Sequence, residues 1–282
     1  AFGSNTLVSC TTGTRNTTVG RASLFSVTTG NDNTAVGYNA GIAITEGIEN
    51  VAIGSGTLAS TTTGNYNTAV GQAAGQEVYG DHNTFMGRYA GLYASDVDNC
   101  VAIGSSALQG GAYFSDATCD YNNDPTITHD ANANIIAGLY VKGTGIPAGA
   151  TIASLNSSTS FELSASTTGG AVTNRTLTFY RNVGDNNVAV GSSALTAMTS
   201  GNQNVAVGYL AGSAINTGTM NIVIGSYAGD AVDTESFNVA IGGYALSTES
   251  SSAGNVAIGY QALMDQNAAS SNNVAVGYQA AT

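Results

Sequence analysis

The phrase Asn-x-x-aliphatic-Gly returns at a fixed interval, and a chain with such a period is confined to a stack of like coils. Its glycines are Gly20, Gly37, Gly54, Gly71, Gly87, Gly104, Gly191, Gly208, Gly225, Gly242, Gly259 and Gly277. They are spaced by 17 residues in most steps, by 16 or 18 in two, and by 87 once. An imperfect further copy starts at Asn5, with Ser9 where Gly would stand, and the copy Asn99-Cys100-Val101-Ala102-Ile103-Gly104 reads as carrying one extra residue. A period of this size is the signature of solenoid architecture.

Each unit has a constant and a variable half. In the constant half Val239 and Ile241 alternate with Ala240, the period of a strand with two larger side chains on one face and a small one on the other. Gly and Asn then turn the chain, since both tolerate positive φ. The fold class is therefore all-β, a parallel β-solenoid with coils of about 17 residues. Its structural repeat is carried by Asn33, Gly37, Asn50, Gly54, Asn67, Gly71, Asn204, Gly208, Asn221, Gly225, Asn238, Gly242, Asn255 and Gly259. The asparagines are expected to stack as a hydrogen-bonded ladder. Twelve coils make a rod of roughly 60 Å at the spacing of adjacent strands.

Outside the long interruption every Asp and Glu lies in the variable half or its approach to the next Asn, as with Asp32, Glu49, Glu77 and Asp98. Unpaired carboxylates are rarely buried, so that arc is expected to face water and the constant half a core. The core is thin. The coil 67 to 83 offers Val70 beside Ala69, Ala73 and Ala74, with Val78 and Tyr79 in the arc. A triangular helix needs an aliphatic at each of three corners, so a flat two-strand roll fits better. A face of Ala and Gly would let neighbouring chains approach, and a homotrimer about a common axis is expected.

The interval of 87 holds seventy residues more than one period, and the solenoid resumes at Gly191-Ser192-Ser193-Ala194-Leu195 with the words it left at Gly104-Ser105-Ser106-Ala107-Leu108. This divides the chain into solenoid repeats at 1–108, an inserted β-rich domain at 109–183 and solenoid repeats again at 184–282. Within the insert, strands are expected over 135–141, 150–155, 160–163 and 176–180. Phe161, Leu163, Leu177 and Phe179 alternate along one face and suit a small core.

Groups for catalysis are sparse. His82 and His129 each follow or precede an Asp, but adjacent strand residues point opposite ways, and both read as solvated loop histidines. Glu46 with Glu49, or Asp233 with Glu235, resemble ordinary exposed charges more than a glycosidase pair. Asp120, Asn122 and Asp124 place oxygens at alternate positions, the start of a calcium loop. Pro125 stands where an EF-hand needs Gly, and Ala131 where it needs Glu. Eighteen acidic residues against six basic ones, a net charge of −12 without a Lys or Arg cluster, argue against nucleic acid. No stretch has the length and apolarity of a membrane span. Three cysteines, Cys10, Cys100 and Cys119, form no zinc or redox motif and read as free thiols, a Cys100–Cys119 bridge being the alternative. The chain begins at Ala1, and neither end reads as a cap, so it is expected to be a fragment, a processed product or a subunit abutting another protein.

The copies NVAIGSGTL at 50–58, NTAVGQAAG at 67–75 and NVAIGYQAL at 255–263 resemble the head repeats of trimeric autotransporter adhesins. NTAVGYNAG and NVAVGYQA are similar to repeats in bacteriophage tail-fibre proteins, and GLYVKGTGIPAGATIASLNSSTSFELSA is similar to a β-rich module of phage virion proteins. The resemblance implies a left-handed β-roll, three chains about an axis, and a non-enzymatic virion fibre outside the cell. Its partners would be other virion proteins at the chain ends and a host-surface glycan or protein. Recognition would fall to the insert, at Tyr113, Phe114, Asp116, Tyr121 and Asp124, whose aromatic and acidic groups suit sugar faces and hydroxyls. The coil is longer than in the adhesin heads, and neither their stalk nor their membrane anchor is seen. A bacterial adhesin head, a self-assembling extracellular filament and a fibre-borne polysaccharide depolymerase are the competing readings.

Overall fold

The computed structural model describes all residues except 96, 111, 148, 181–182, 249–252, 265–270 and 282, and excepting the side chains of Ala112 and Tyr113. No helix occurs among the described residues. The chain divides into two compact units, one made of Ala1–Gly110 with Val183–Thr282 and the other of Gly111–Asn182.

The first unit is a parallel β-solenoid. Twelve three-residue strands, from Thr17–Val19 to Val274–Val276, form one parallel sheet in chain order. Val101–Ile103 pairs directly with Val188–Val190, so the sheet continues across the long interruption in unbroken register. Each coil carries one strand, not two. The return path consists of turns whose amides donate to carbonyls of a neighbouring coil, as Leu24 N–H does to Ala40 O at 3.0 Å and Ser60 N–H to Gln76 O at 2.8 Å. Backbone satisfaction thus comes from the stack, without a second strand.

The inward face of the strands is the small one. The middle residue of all twelve is buried, mostly Ala, as in Ala35, Ala52, Ala206 and Ala240. The flanking residues, such as Val51 with Ile53 and Ile222 with Ile224, are nowhere buried. This reverses the expected orientation. At most rungs the narrow coil leaves room for only a methyl group, the volume being filled by Leu24, Ile44, Val78, Met198 and Ile215, whereas Phe85 and Val223 fit where Gly75 with Gly91 and Gly212 with Gly229 lie against them. Two further expectations change with it: the arc is not wholly solvated, since Glu77 is also buried, and the face turned outward is Val and Ile rather than Ala and Gly.

The asparagine ladder forms. Asn50 N–H and Nδ2 donate to Asn33 Oδ1 at 3.0 and 3.1 Å, and Nδ2 also to Gly64 O at 2.7 Å. Asn67 N–H then donates to Asn50 Oδ1 at 3.0 Å, and the pattern recurs from Asn204 through Asn221 to Asn238. Each side chain closes its own turn and caps the next coil's amide.

Cys100 occupies a rung, so its coil carries no extra residue; Asn99 is a corner residue at φ 57°. The Cys100 N–H reaches Asn83 Oδ1 at 2.9 Å, but its sulfur meets Asn187 N and Gly184 O only at 3.4 Å. A thiol is weak in both roles. Cys100→Asn, restoring a full rung, is expected to raise stability by about 1 kcal/mol, read as a higher urea midpoint. An unchanged or lower midpoint would show that this coil does not accept the amide.

The second unit is a six-stranded antiparallel sheet in the order Ile152–Ser157, Ser160–Leu163, Thr126–Thr128, Ala112–Asn122, Ala171–Tyr180, Tyr140–Lys142. Phe161, Leu163, Leu177 and Phe179 are all buried in its core, as their alternation predicts. The strand expected over 135–141 is shorter, because turns through Ala133-Asn134 and Ala137-Gly138 confine it to Tyr140–Lys142.

Candidate functional site

Two surfaces of the first unit carry chemistry. The outward strand face presents an aliphatic or Met at the third position of every strand and a β-branched residue at every first position. Ile53, Met86, Ile222, Ile224 and Ile258 are among its exposed members. At about 4.8 Å per rung the stripe is roughly 50 Å long. Large contiguous apolar patches on a surface are a common feature of association sites.

A column of tyrosines runs just past the strand ends in the last five coils: Tyr209, Tyr227, Tyr244, Tyr260 and Tyr278. Successive ring centroids lie 5.4, 5.0, 6.1 and 5.5 Å apart, alternating edge-on and stacked. Burial and the neighbouring Tyr209 phenol raise the Tyr227 phenol above its usual range. On the opposite flank Met220 and Phe237 are also exposed. In the early coils that flank is polar: Arg15 makes a two-pronged contact to Asp32 at 2.5 and 2.6 Å, which lowers the exposed carboxyl. The apolar face is therefore widest at the coils of Met220 and Phe237. The recurrence of Tyr one or two residues after the repeat glycine in the last five coils is the sequence signal for this column.

Of the expected recognition residues whose side chains are described, Tyr121 and Asp116 are buried, Phe114 is half-buried and Asp124 is exposed. Phe114 stacks on Phe179 at 4.6 Å and packs against the core. Tyr121 is buried, with its hydroxyl donating to Thr144 O. The Asp116 carboxylate is 8% exposed and accepts from Thr118 N–H at 2.9 Å, Thr118 Oγ1 at 2.6 Å and Asn132 Nδ2 at 2.9 Å. Burial pushes its pKa up, but these bonds outweigh burial and hold it below the ordinary value. Asp124 is exposed, while the Tyr113 side chain lies outside the described residues.

Asp120, Asn122 and Asp124 do share a shallow groove with Thr126, Thr128 and Thr173. The first two lie on the strand Ala112–Asn122 rather than in a loop. Asp120 Oδ1 is engaged by Asn174 N–H at 2.6 Å and Asp124 Oδ1 by Thr126 N–H at 3.0 Å. Among the described residues no three His, Cys, Asp or Glu side chains converge as metal ligands.

The two histidines differ. His82 is exposed and stacks on Tyr66 at 4.7 Å. His129 is not the solvated histidine expected: it is 8% exposed, packed against Phe161 at 5.4 Å, with Nδ1 bonded to Asp130 O. The cysteines are free, and burial pushes the Cys100 and Cys119 thiols up to about 12, so neither is a thiolate near neutrality.

No protein-family model, no curated protein and no solved structure matches this chain.

Proposed function

We propose that this chain is a non-enzymatic fibre protein of a phage particle, in which three copies join into a rigid left-handed shaft and the second unit is an inserted module that meets the host surface. The observation that carries the shaft reading is the apolar outward stripe, present on all twelve strands while the small residues are spent on the interior. A surface of this kind is stabilised by covering it, and a repeated stripe is covered most simply by the same stripe on another copy. The phage assignment rests on the likeness of the repeat and insert words to those of virion fibres. Light scattering after column separation tests the shaft: a mass near three chains is expected, and a single-chain mass would overturn it. Deleting 109–183 tests the module. The trimer is expected to survive and host adsorption to be lost; unchanged adsorption would remove recognition from this segment.

A further inference from the structure

The second unit holds a cleft of about 400 Å³, distinct from the shallow groove at Asp120 and Asp124. It lies between the segment 129–135 and the turn joining Ile152–Ser157 to Ser160–Leu163, and is lined by His129, Asn132, Ile135, Leu155, Ser157 and Ser158 with two alanines. A volume of this size suits a small ligand.

His129 points to what that ligand is. The side chain is more than nine-tenths buried, yet it lines the cleft. Its Nδ1 meets the carbonyl of Asp130, which only accepts, so Nδ1 carries a proton. Nε2 makes no hydrogen bond to a described residue, and the cleft is where a partner can come from. Asn132 spends one N–H on Asp116 Oδ2 and one lone pair on Asn134 N–H, which leaves one donor and one acceptor. Ser157 and Ser158 add hydroxyls at the rim, and Ile135 with the half-exposed Leu155 adds an apolar wall. No Lys or Arg lines the cleft, and the Asp116 carboxylate behind Asn132 is already engaged by three hydrogen bonds.

We propose that this cleft binds a neutral sugar residue. A pyranose has an apolar C–H face for Ile135 and Leu155 and a hydroxyl edge for Nε2, the Asn132 amide and the serines. The absence of a paired cation disfavours anionic sugars and phosphates. This inference rests on reading the second unit as the host-recognition module, and names the ligand class that module takes.

The experiment is saturation-transfer NMR and calorimetry of the full chain with glucose, galactose, mannose and N-acetylglucosamine, and with glucuronic acid as the anionic comparison. Leu155→Arg and Ser158→Trp block the rim through exposed positions and leave the core intact. At least one neutral sugar is expected to bind, glucuronic acid not, and each variant to weaken binding by about tenfold or more. Absence of any sugar binding, preference for glucuronic acid, or binding untouched by both variants would overturn the proposal. Host adsorption of the variants separates the two readings. If sugar binding falls and adsorption does not, the cleft stands and the attachment role fails. If adsorption requires 109–183 but no sugar occupies the cleft, the attachment role stands and the cleft proposal fails.

Discussion

Gly225→Ala will destabilise the shaft by at least about 4 kcal/mol, among the largest effects a single methyl group produces. Gly225 has φ +136°, a region that side-chain-bearing residues rarely adopt. A Cβ there would stand 2.6 Å from the carbonyl carbon and oxygen of Gly242 in the next coil. Those atoms are backbone, fixed by their own place in the stack, so relief requires the coils to part. Gly56→Ala is the control, because its φ of +67° is left-handed helical and nothing lies within 4 Å of the new methyl. It is expected to cost only about 1 kcal/mol. Urea midpoints of the two variants check the difference, and equal midpoints would mean that the glycine column does not set the coil spacing.

If three copies join as proposed, replacing Ile224 and Ile241 together by Asp is expected to reduce the particle to one chain without unfolding the coil. The two residues are register partners on adjacent strands, and both side chains point outward. Each carboxylate buried without a partner costs about 3–5 kcal/mol, enough to dissolve an interface but not to affect a side chain that stays in water. Ala240→Asp makes the contrasting variant. Ala240 is fully buried against the opposite wall, and a carboxylate there is expected to abolish folding. Light scattering and circular dichroism distinguish the outcomes: a small, folded particle for the outward pair and an unfolded chain for the inward change. A wild-type mass of one chain, or a double variant that keeps the mass of three, would defeat the trimeric reading.

The second unit was legible to a different degree from the solenoid. The alternation of Phe161, Leu163, Leu177 and Phe179 located its core, because each pair sits on one strand and period two is a local property. The 11-residue strand Ala112–Asn122 was not legible. Its apolar residues are interspersed with Ser115, Asp116 and Asp120, and it is held by pairing to Ala171–Tyr180 some fifty residues away. For the same reason Tyr121 reads as a surface aromatic when it is core, and Phe114 when it is half-buried against that core. The cleft at His129 depends on two segments about twenty residues apart, and no local pattern announces their meeting.

The sequence by itself determined the coil, its period and its ladder. A 17-residue spacing of Asn and Gly fixes which amide meets which carboxamide, and the resumption of the same words at Gly191 required the sheet to close across the interruption. Only the tertiary structure decided which face of each strand is inside. Alternation separates Val239 and Ile241 from Ala240 but is blind to direction, and hydrophobicity alone favours burying the larger pair. The width of the closed coil settles it: the space opposite each strand is already taken by side chains from the arc, so the methyl group goes in and the branched pair is turned outward.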